Sequence, residues 1–565
     1  MAVALRVDGI EDGASFDVAV VGTGAAGLAT ALFAAKRGAR VLLLERTDHI
    51  GGSTAWSAGT AWLPLTRHAA TVGTVDDAAT VLEFLDAAVG NRSPRAMREA
   101  FVAAAAPAVT ELETDTEVRF RARAFHPDYL SDLPGATHCG RAIEPQPFDG
   151  RRLGAPFRLI RPPIPEFMLF GGMMVDRDDI GHLLKLTKSF ASFRHALRLL
   201  ARFGRDRLSH PRGTRLVMGN ALVARFLASL MPLDVTLLTG AETRRLDHDG
   251  TRVTGLGLTH RGRDHSVTVG RGVVLASGGF NRHAVRRGER LGTDPGWCPG
   301  APGHTGAALD LALGLGARFG EGALSDAFWA PVSTRRRADG STAVFPHFLL
   351  DRGKPGMVTV DRHGRRFVTE ATSYHLFALA MREAGAVPAF LVTDADGLKR
   401  YGLGMVRPGG GTTPFLADGY LTTAATLAEL AAKLGIDGDG LLRTVADMNA
   451  YAITGIDPDF GRGSTVYQRA NGDATHGPNP CLGPIGTPPY YAVRLWPGDI
   501  GAATGLVTDA HTRVLGRDDR PIAGLHAVGN DMQSIMGGTY PAPGITLGPA
   551  IAFARVAARH LMGET

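Results

Sequence analysis

The stretch FDVAVVGTGAAGLATALFAAKRGARVLLLE, residues 16–45, decides the architecture. Val18, Val20 and Val21 make a short β-branched apolar run that predicts a buried strand. Gly22, Gly24 and Gly27 follow at G-x-G-x-x-G spacing, and the Ala/Leu-rich residues after them predict a helix. A second apolar run, residues 40–44, ends in Glu45 and completes a β-α-β unit. Each part has a physical task if a dinucleotide binds. Gly22 permits a tight turn, Gly24 lets the backbone approach a pyrophosphate, and Gly27 lets helix and strand pack closely. Ala25 and Ala26 open the helix, whose N-terminal N–H groups attract phosphate. Glu45, 21 residues after Gly24, is placed to accept hydrogen bonds from the adenosine ribose, with Arg46 beside it.

Working outward, a second glycine cluster comes at once: Gly51 and Gly52 with Ser53 and Thr54, then Ser57, Ala58 and Gly59. An enzyme using NAD alone does not require it, so FAD is the expected cofactor. Two later apolar runs end in further turns, at Gly278 and at Gly529 with Asn530 and Asp531. An extended dinucleotide lying along one sheet would touch all of these places.

The composition narrows the function classes. A hydrophobic fraction of 44% and a charged fraction of 21% are those of a folded globular chain, and 565 residues predict more than one structural unit. A net charge of +6 without a basic run interleaved with aromatics argues against nucleic acid. Cys139, Cys298 and Cys481 are too few and too far apart for a disulfide framework, which points to a reducing, cytoplasmic setting. None of the 19 histidines falls into metal-ligand spacing, so no metal is expected. The N-terminus lacks the pattern of a secretory signal.

Later apolar runs at 235–239, 251–258, 266–269, 273–276 and 524–528 predict a return to the first sheet, and a helix is predicted over 547–561. Between them, helical patterns at 426–433 and 441–451 lie in a mixed region. The expected fold is α/β: a discontinuous Rossmann-like FAD-binding domain, residues 1–282 and 492–565, with an inserted α+β catalytic domain, residues 283–491. The proline-rich apolar stretch 156–174 is expected to cover a pocket.

The motifs taken together resemble the 3-ketosteroid Δ1-dehydrogenases, within the fumarate reductase and succinate dehydrogenase flavoprotein superfamily. The resemblance runs almost end to end. It rests on GTGAAG with Glu45, GGSTAWSAG, GRAIEPQPFDGRRLG at 140–154, SGGF at 277–280, RFVTEATSYH at 366–375, FGRGSTVYQR at 460–469 and GGTYPAPGITLGPA at 537–550. It implies FAD held noncovalently, because Ser53 stands where succinate dehydrogenases carry their flavin-linking histidine. It implies a catalytic base at Tyr374, an assisting tyrosine at Tyr129, and a grip on the substrate ketone from the Tyr540 hydroxyl and the Gly544 N–H. It also implies that the helix opened by Leu547 points its positive end at the flavin pyrimidine.

The implied reaction removes a proton from carbon 2 of a 3-ketosteroid and passes a hydride from carbon 1 to the flavin. A Δ4-(5α) dehydrogenase is the alternative nearest in chemistry, a fumarate-reductase-like alkene reductase the next, and a nonenzymatic flavin-binding module a different class. A quinone-like electron acceptor fits the resemblance. Residues 185–207, with Leu183 just before them, form a helical pattern with apolar Leu186, Phe190, Phe193, Leu197, Leu200 and Phe203 and basic Lys188, Arg194, Arg198, Arg202 and Arg205. Peripheral contact with an anionic membrane is one reading, and a surface helix packed on the body is the other.

Overall fold

In the computed structural model of the protein, residues 4–186, 188–348 and 351–564 are described. The opening β-α-β unit forms as the spacing predicts, with Ser15–Val21, Ala25–Lys36 and Val41–Leu44 in succession. The strands run parallel, with Val18 opposite Val41 and Val21 opposite Leu44. Val235–Leu238 and Arg6–Val7 extend this parallel sheet on one side, and Arg263–Leu275 and Pro521–Ala527 on the other. Ala241–His248 and Val253–His260 add an antiparallel flap, and Arg513–Leu515 pairs with Pro521–Ala527.

The apolar runs are continuous because both faces of this sheet are covered. The Ala25–Lys36 helix is buried from Ala25 to Ala35 and packs against Met218–Leu230 and Leu547–Leu561. Each Val or Leu buried there contributes roughly 1.5–3 kcal/mol. Gly27 is required by contact: a Cβ at that position would lie 1.8 Å from the Gly22 carbonyl oxygen.

The runs at 266–269 and 273–276 are one strand, Arg263–Leu275, and not two. Gly270 and Gly272 interrupt the apolar pattern where the register shifts between Val269 and Gly272, so a bulge in one strand reads as a gap between two.

A second, antiparallel sheet is built around the long strand Tyr490–Ala502, which pairs with Ala327–Arg336, Ala389–Thr393 and Thr422–Ala424. The sequence boundary at 491/492 falls inside this strand, whose pairing continues to Ala502. Leu427–Leu434 and Gly438–Thr454 bury one face each against this sheet, the helices expected at 426–433 and 441–451.

The basic amphipathic segment begins its helix at Phe190, capped by Ser189, and a separate short helix, Arg177–Leu183, precedes it. Residue 187 lies outside the described residues. The apolar stripe of Phe190–Asp206 faces outward: Phe190 is 79% exposed and Leu197 56%.

Candidate active site

One cavity of about 560 Å³ runs from the glycine loop at the sheet edge to the second sheet. Gly22, Gly24, Ala25, Ala26, Glu45, Arg46, Gly52, Ser53, Thr54, Ser57, Ala58, Gly59, Gly278, Gly529, Asn530 and Leu547 line it, and so do Tyr129, Tyr374, Tyr540 and Gly544. Of the glycines in the two clusters, Gly27 and Gly51 are outside the lining, Gly27 being spent on helix packing.

At the glycine end the backbone makes the wall. The Ala25 N–H donates to the Thr54 hydroxyl at 3.0 Å, and the Gly51 N–H to the Thr23 carbonyl at 3.1 Å, so the two glycine clusters form one cradle. Glu45 is buried and accepts from the Thr47 N–H at 2.9 Å and from the Thr23 hydroxyl. It pairs with no cation among the described residues and keeps carboxylate acceptor capacity toward the cavity, as a ribose diol requires.

Asp531 clamps the loop at 277–279, accepting from the Ser277 and Gly279 N–H groups, the latter at 2.8 Å. Burial raises its pKa against these donors. His304 lies between Gly52 and Gly278, pushed down to about 4 by burial and then by Arg282 and Arg161, so it presents a neutral imidazole. The sequence places Asp531 in the last turn, after Gly529 and Asn530, without announcing its clamp on this loop, and nothing there announces His304. The donors, the free carboxylate capacity and the narrow glycine walls fit an extended FAD.

At the other end the wall is aromatic. The Tyr129 and Tyr374 hydroxyls are 3.3 Å apart. Tyr540 lies 5.1 Å from Tyr374 and 5.8 Å from Tyr129 between ring centroids. Tyr467 joins them, 4.8 Å from Tyr129; it stands inside the quoted FGRGSTVYQR motif, but an isolated tyrosine gives no signal of its own. Burial raises the pKa of all four, for Tyr129 and Tyr374 to well above 10, so the phenols are neutral near pH 7. Gly544 has φ +87, and a Cβ there would lie 2.5 Å from the Thr60 carbonyl oxygen. Its carbonyl accepts from the Trp62 and Gly548 N–H groups, while its own N–H meets no acceptor among the described residues.

Distant segments are locked together to hold this end. The Tyr129 N–H donates to the Pro541 carbonyl at 2.8 Å, tying the first tyrosine to the segment of the third. Beneath it, buried Asp128 accepts from the Trp62 indole at 2.9 Å; burial pushes it up to about 6 despite Arg141 nearby. Tyr374 begins the helix Tyr374–Glu383, capped by Ser373. His375 turns away from Tyr374: its Nδ1 accepts from the Trp329 N–H and its Nε2 donates to the Gly538 carbonyl, each at 3.1 Å.

Just before that helix, Glu370 is fully buried between Arg366 and Arg462, both at 2.9 Å, and Arg366 also meets Asp457 at 2.8 Å. Burial opposes the Glu370 charge, but the two guanidinium groups hold its pKa below the usual carboxylate range. This cluster joins RFVTEATSYH to FGRGSTVYQR.

Comparison with known proteins places the chain among flavoenzymes. Residues 17–547 match the FAD binding domain family. The chain is 37% identical over 560 residues to 4-oxocyclohex-2-ene-1-carboxylate 5-dehydrogenase of Sinomonas cyclohexanicum, covering 96% of this chain and 93% of that one. It is 33% identical over 568 residues to the 3-oxosteroid 1-dehydrogenase of Mycobacterium tuberculosis strain H37Rv, covering 97% and 98%. The crystal structure of 3-ketosteroid Δ1-dehydrogenase from Sterolibacterium denitrificans, in complex with 1,4-androstadiene-3,17-dione, superposes with a TM-score of 0.91 at 33% identity over 97% of this chain and 99% of that one. The chain belongs to the 3-ketosteroid Δ1-dehydrogenase family, FAD-binding oxidoreductases that act on CH–CH groups.

Proposed function

We propose that the protein dehydrogenates a 3-ketosteroid, introducing a double bond between carbons 1 and 2, with a place in steroid metabolism. The observation that carries this is the convergence of Tyr129, Tyr374 and Tyr540, the first two with hydroxyls 3.3 Å apart, on the end of the cavity that Gly544 also lines. Gly544 and the Tyr540 hydroxyl hold the ketone oxygen and stabilise the charge that develops on it as the neighbouring carbon loses a proton. Tyr374 takes that proton. Tyr129 holds the Tyr374 hydroxyl in place, and substrate binding must lower the barrier that burial sets against the phenolate. FAD, bound noncovalently along the glycine end, supplies the acceptor for the hydride.

Relatives named for a monocyclic oxo-carboxylate and for 3-oxosteroids share a ring ketone whose neighbouring carbons lose hydrogen. A panel of saturated 3-ketosteroids with an artificial acceptor tests the reaction. The expected product carries a new carbon 1–carbon 2 double bond; a double bond between carbons 4 and 5 would move the protein to the Δ4-(5α) reaction.

A discontinuous FAD-binding part, residues 1–282 and 492–565, serves a catalytic part, residues 283–491, with the shared strand Tyr490–Ala502 carrying the second sheet across that boundary. The physiological acceptor is quinone-like, and the enzyme works in the cytoplasm against an anionic membrane surface. Support for that contact is the outward apolar stripe of Phe190, Phe193, Leu197 and Leu200 with Arg194, Arg198 and Arg205 alongside. No helix among the described residues is long and apolar enough to cross a membrane. Flotation with anionic vesicles is expected for the holoenzyme and is lost on replacing Phe190 and Phe193 with serine; equal flotation of both would contradict the contact.

A further inference from the structure

The tyrosine end of the cavity has a charged rim. Arg123, His126, Glu144, Asp176 and Arg177 line it alongside Tyr129. Most of this charge is committed. Arg123 pairs with Glu144 at 2.6 Å and with Asp178 at 2.8 Å, and Arg121 meets Asp178 at 2.9 Å. Asp176 caps the Arg177–Leu183 helix, accepting from the Asp178 and Asp179 N–H groups at 3.0 Å each, and faces Arg215 at 3.4 Å. His126 is not a cation: burial, then Arg177 and Arg123, push it down to about 3.

Arg177 is different. It lines the cavity and forms no ion pair with any carboxylate among the described residues, although Asp176 and Asp178 flank it in sequence. It lines the same cavity as His126 and Tyr129, close enough for its charge to be felt by both and by Tyr467. A guanidinium beside a largely apolar cavity, with its neighbouring acids taken, is a ready fork for an incoming carboxylate. Arg177 is exposed at the mouth, in contact with solvent as well as with the cavity, and a carboxylate bound there would supply the counter-charge that the neighbouring acids do not.

We infer that the ketone substrate carries a carboxylate, which Arg177 holds at the cavity rim while the ketone oxygen lies on Tyr540 and Gly544. This rests on the reaction proposed above. Two kinds of molecule share the chemistry: a monocyclic oxo-acid, and a 3-ketosteroid with an acidic side chain.

The test uses purified holoenzyme, an artificial acceptor and matched acid and methyl ester pairs: 4-oxocyclohexanecarboxylate, and 3-oxo-4-cholenoic acid. Androst-4-ene-3,17-dione serves as a neutral ketone. In at least one pair kcat/KM is expected to favour the acid by about tenfold or more, mainly through KM, as a charge-assisted bidentate contact would. The pair that shows the preference identifies the source. Arg177→Gln is expected to collapse the acid-to-ester ratio and Arg177→Lys to recover part of it, with the bound-flavin spectrum reporting the fold of each variant. Equal rates for acid and ester in both pairs, or a ratio that survives Arg177→Gln, would overturn the inference. Oxidation of the neutral ketone with no preference for acids overturns the role of Arg177 alone, whereas no oxidation of any ketone overturns the proposed reaction as well.

Discussion

The two ends of the cavity are built by opposite means. The glycine end is mostly backbone, supplied by short contiguous stretches whose turns and helix N-terminus face the cavity. The tyrosine end is mostly side chain, with the Gly544 backbone beside it. It gathers Tyr129, Tyr374, Tyr467 and Tyr540 from four distant segments and fixes them with a buried ion cluster at Glu370 and a backbone bond from Tyr129 to Pro541. A site that binds a shared cofactor can be made locally; a site that positions reacting hydroxyls must be assembled by the whole fold. Damage should therefore separate, with cofactor loss at one end and loss of turnover with the flavin still bound at the other.

The largest expected effect is on assembly. Glu370→Ala leaves Arg462 and part of Arg366 buried without a counter-charge, and removing one partner of such a pair costs about 3–5 kcal/mol. Denaturant unfolding should show that loss, and a change below about 1 kcal/mol would mean that the cluster does not hold the tyrosine end together. Tyr540→Phe removes one of the two donors to the ketone and should lower kcat roughly 10²–10³-fold with full flavin content. A rate near that of the wild type would move the ketone elsewhere.

Gly27→Ala probes the other end. Its Cβ would meet the Gly22 carbonyl oxygen at 1.8 Å, and relief by moving the loop costs about 1–3 kcal/mol. The variant should lose flavin on gel filtration, and ketone turnover should return with excess FAD. The smallest effect is in pH. Since the Tyr374 pKa is raised, its basic form is scarce at neutrality and grows as pH rises. Between pH 7 and 9, kcat/KM should climb up to about tenfold per unit, while flavin binding stays level. A flat profile would remove the tyrosine from the role of base.

The same contrast explains what could be read from the chain alone. Gly22, Gly24 and Glu45 are legible because the β-α-β unit fits within thirty residues and each part follows its neighbour. Tyr129, Tyr374 and Tyr540 were reached only through resemblance, since nothing local marks a tyrosine as convergent with others hundreds of positions away. Asp531 on the 277–279 loop, Arg462 under Glu370, and Arg177 at the rim are visible only in space. The strand Arg263–Leu275 was broken in two by its own glycines, although its pairing runs through them.

The central claim is that electrons reach the flavin only through the tyrosine end. Anaerobic mixing of a 3-ketosteroid with holoenzyme should bleach the flavin in the wild type. Tyr374→Phe should bind as much flavin, yet bleach roughly 10²–10⁴-fold more slowly, the usual contribution of a general base. Bleaching of Tyr374→Phe at the wild-type rate would contradict the account.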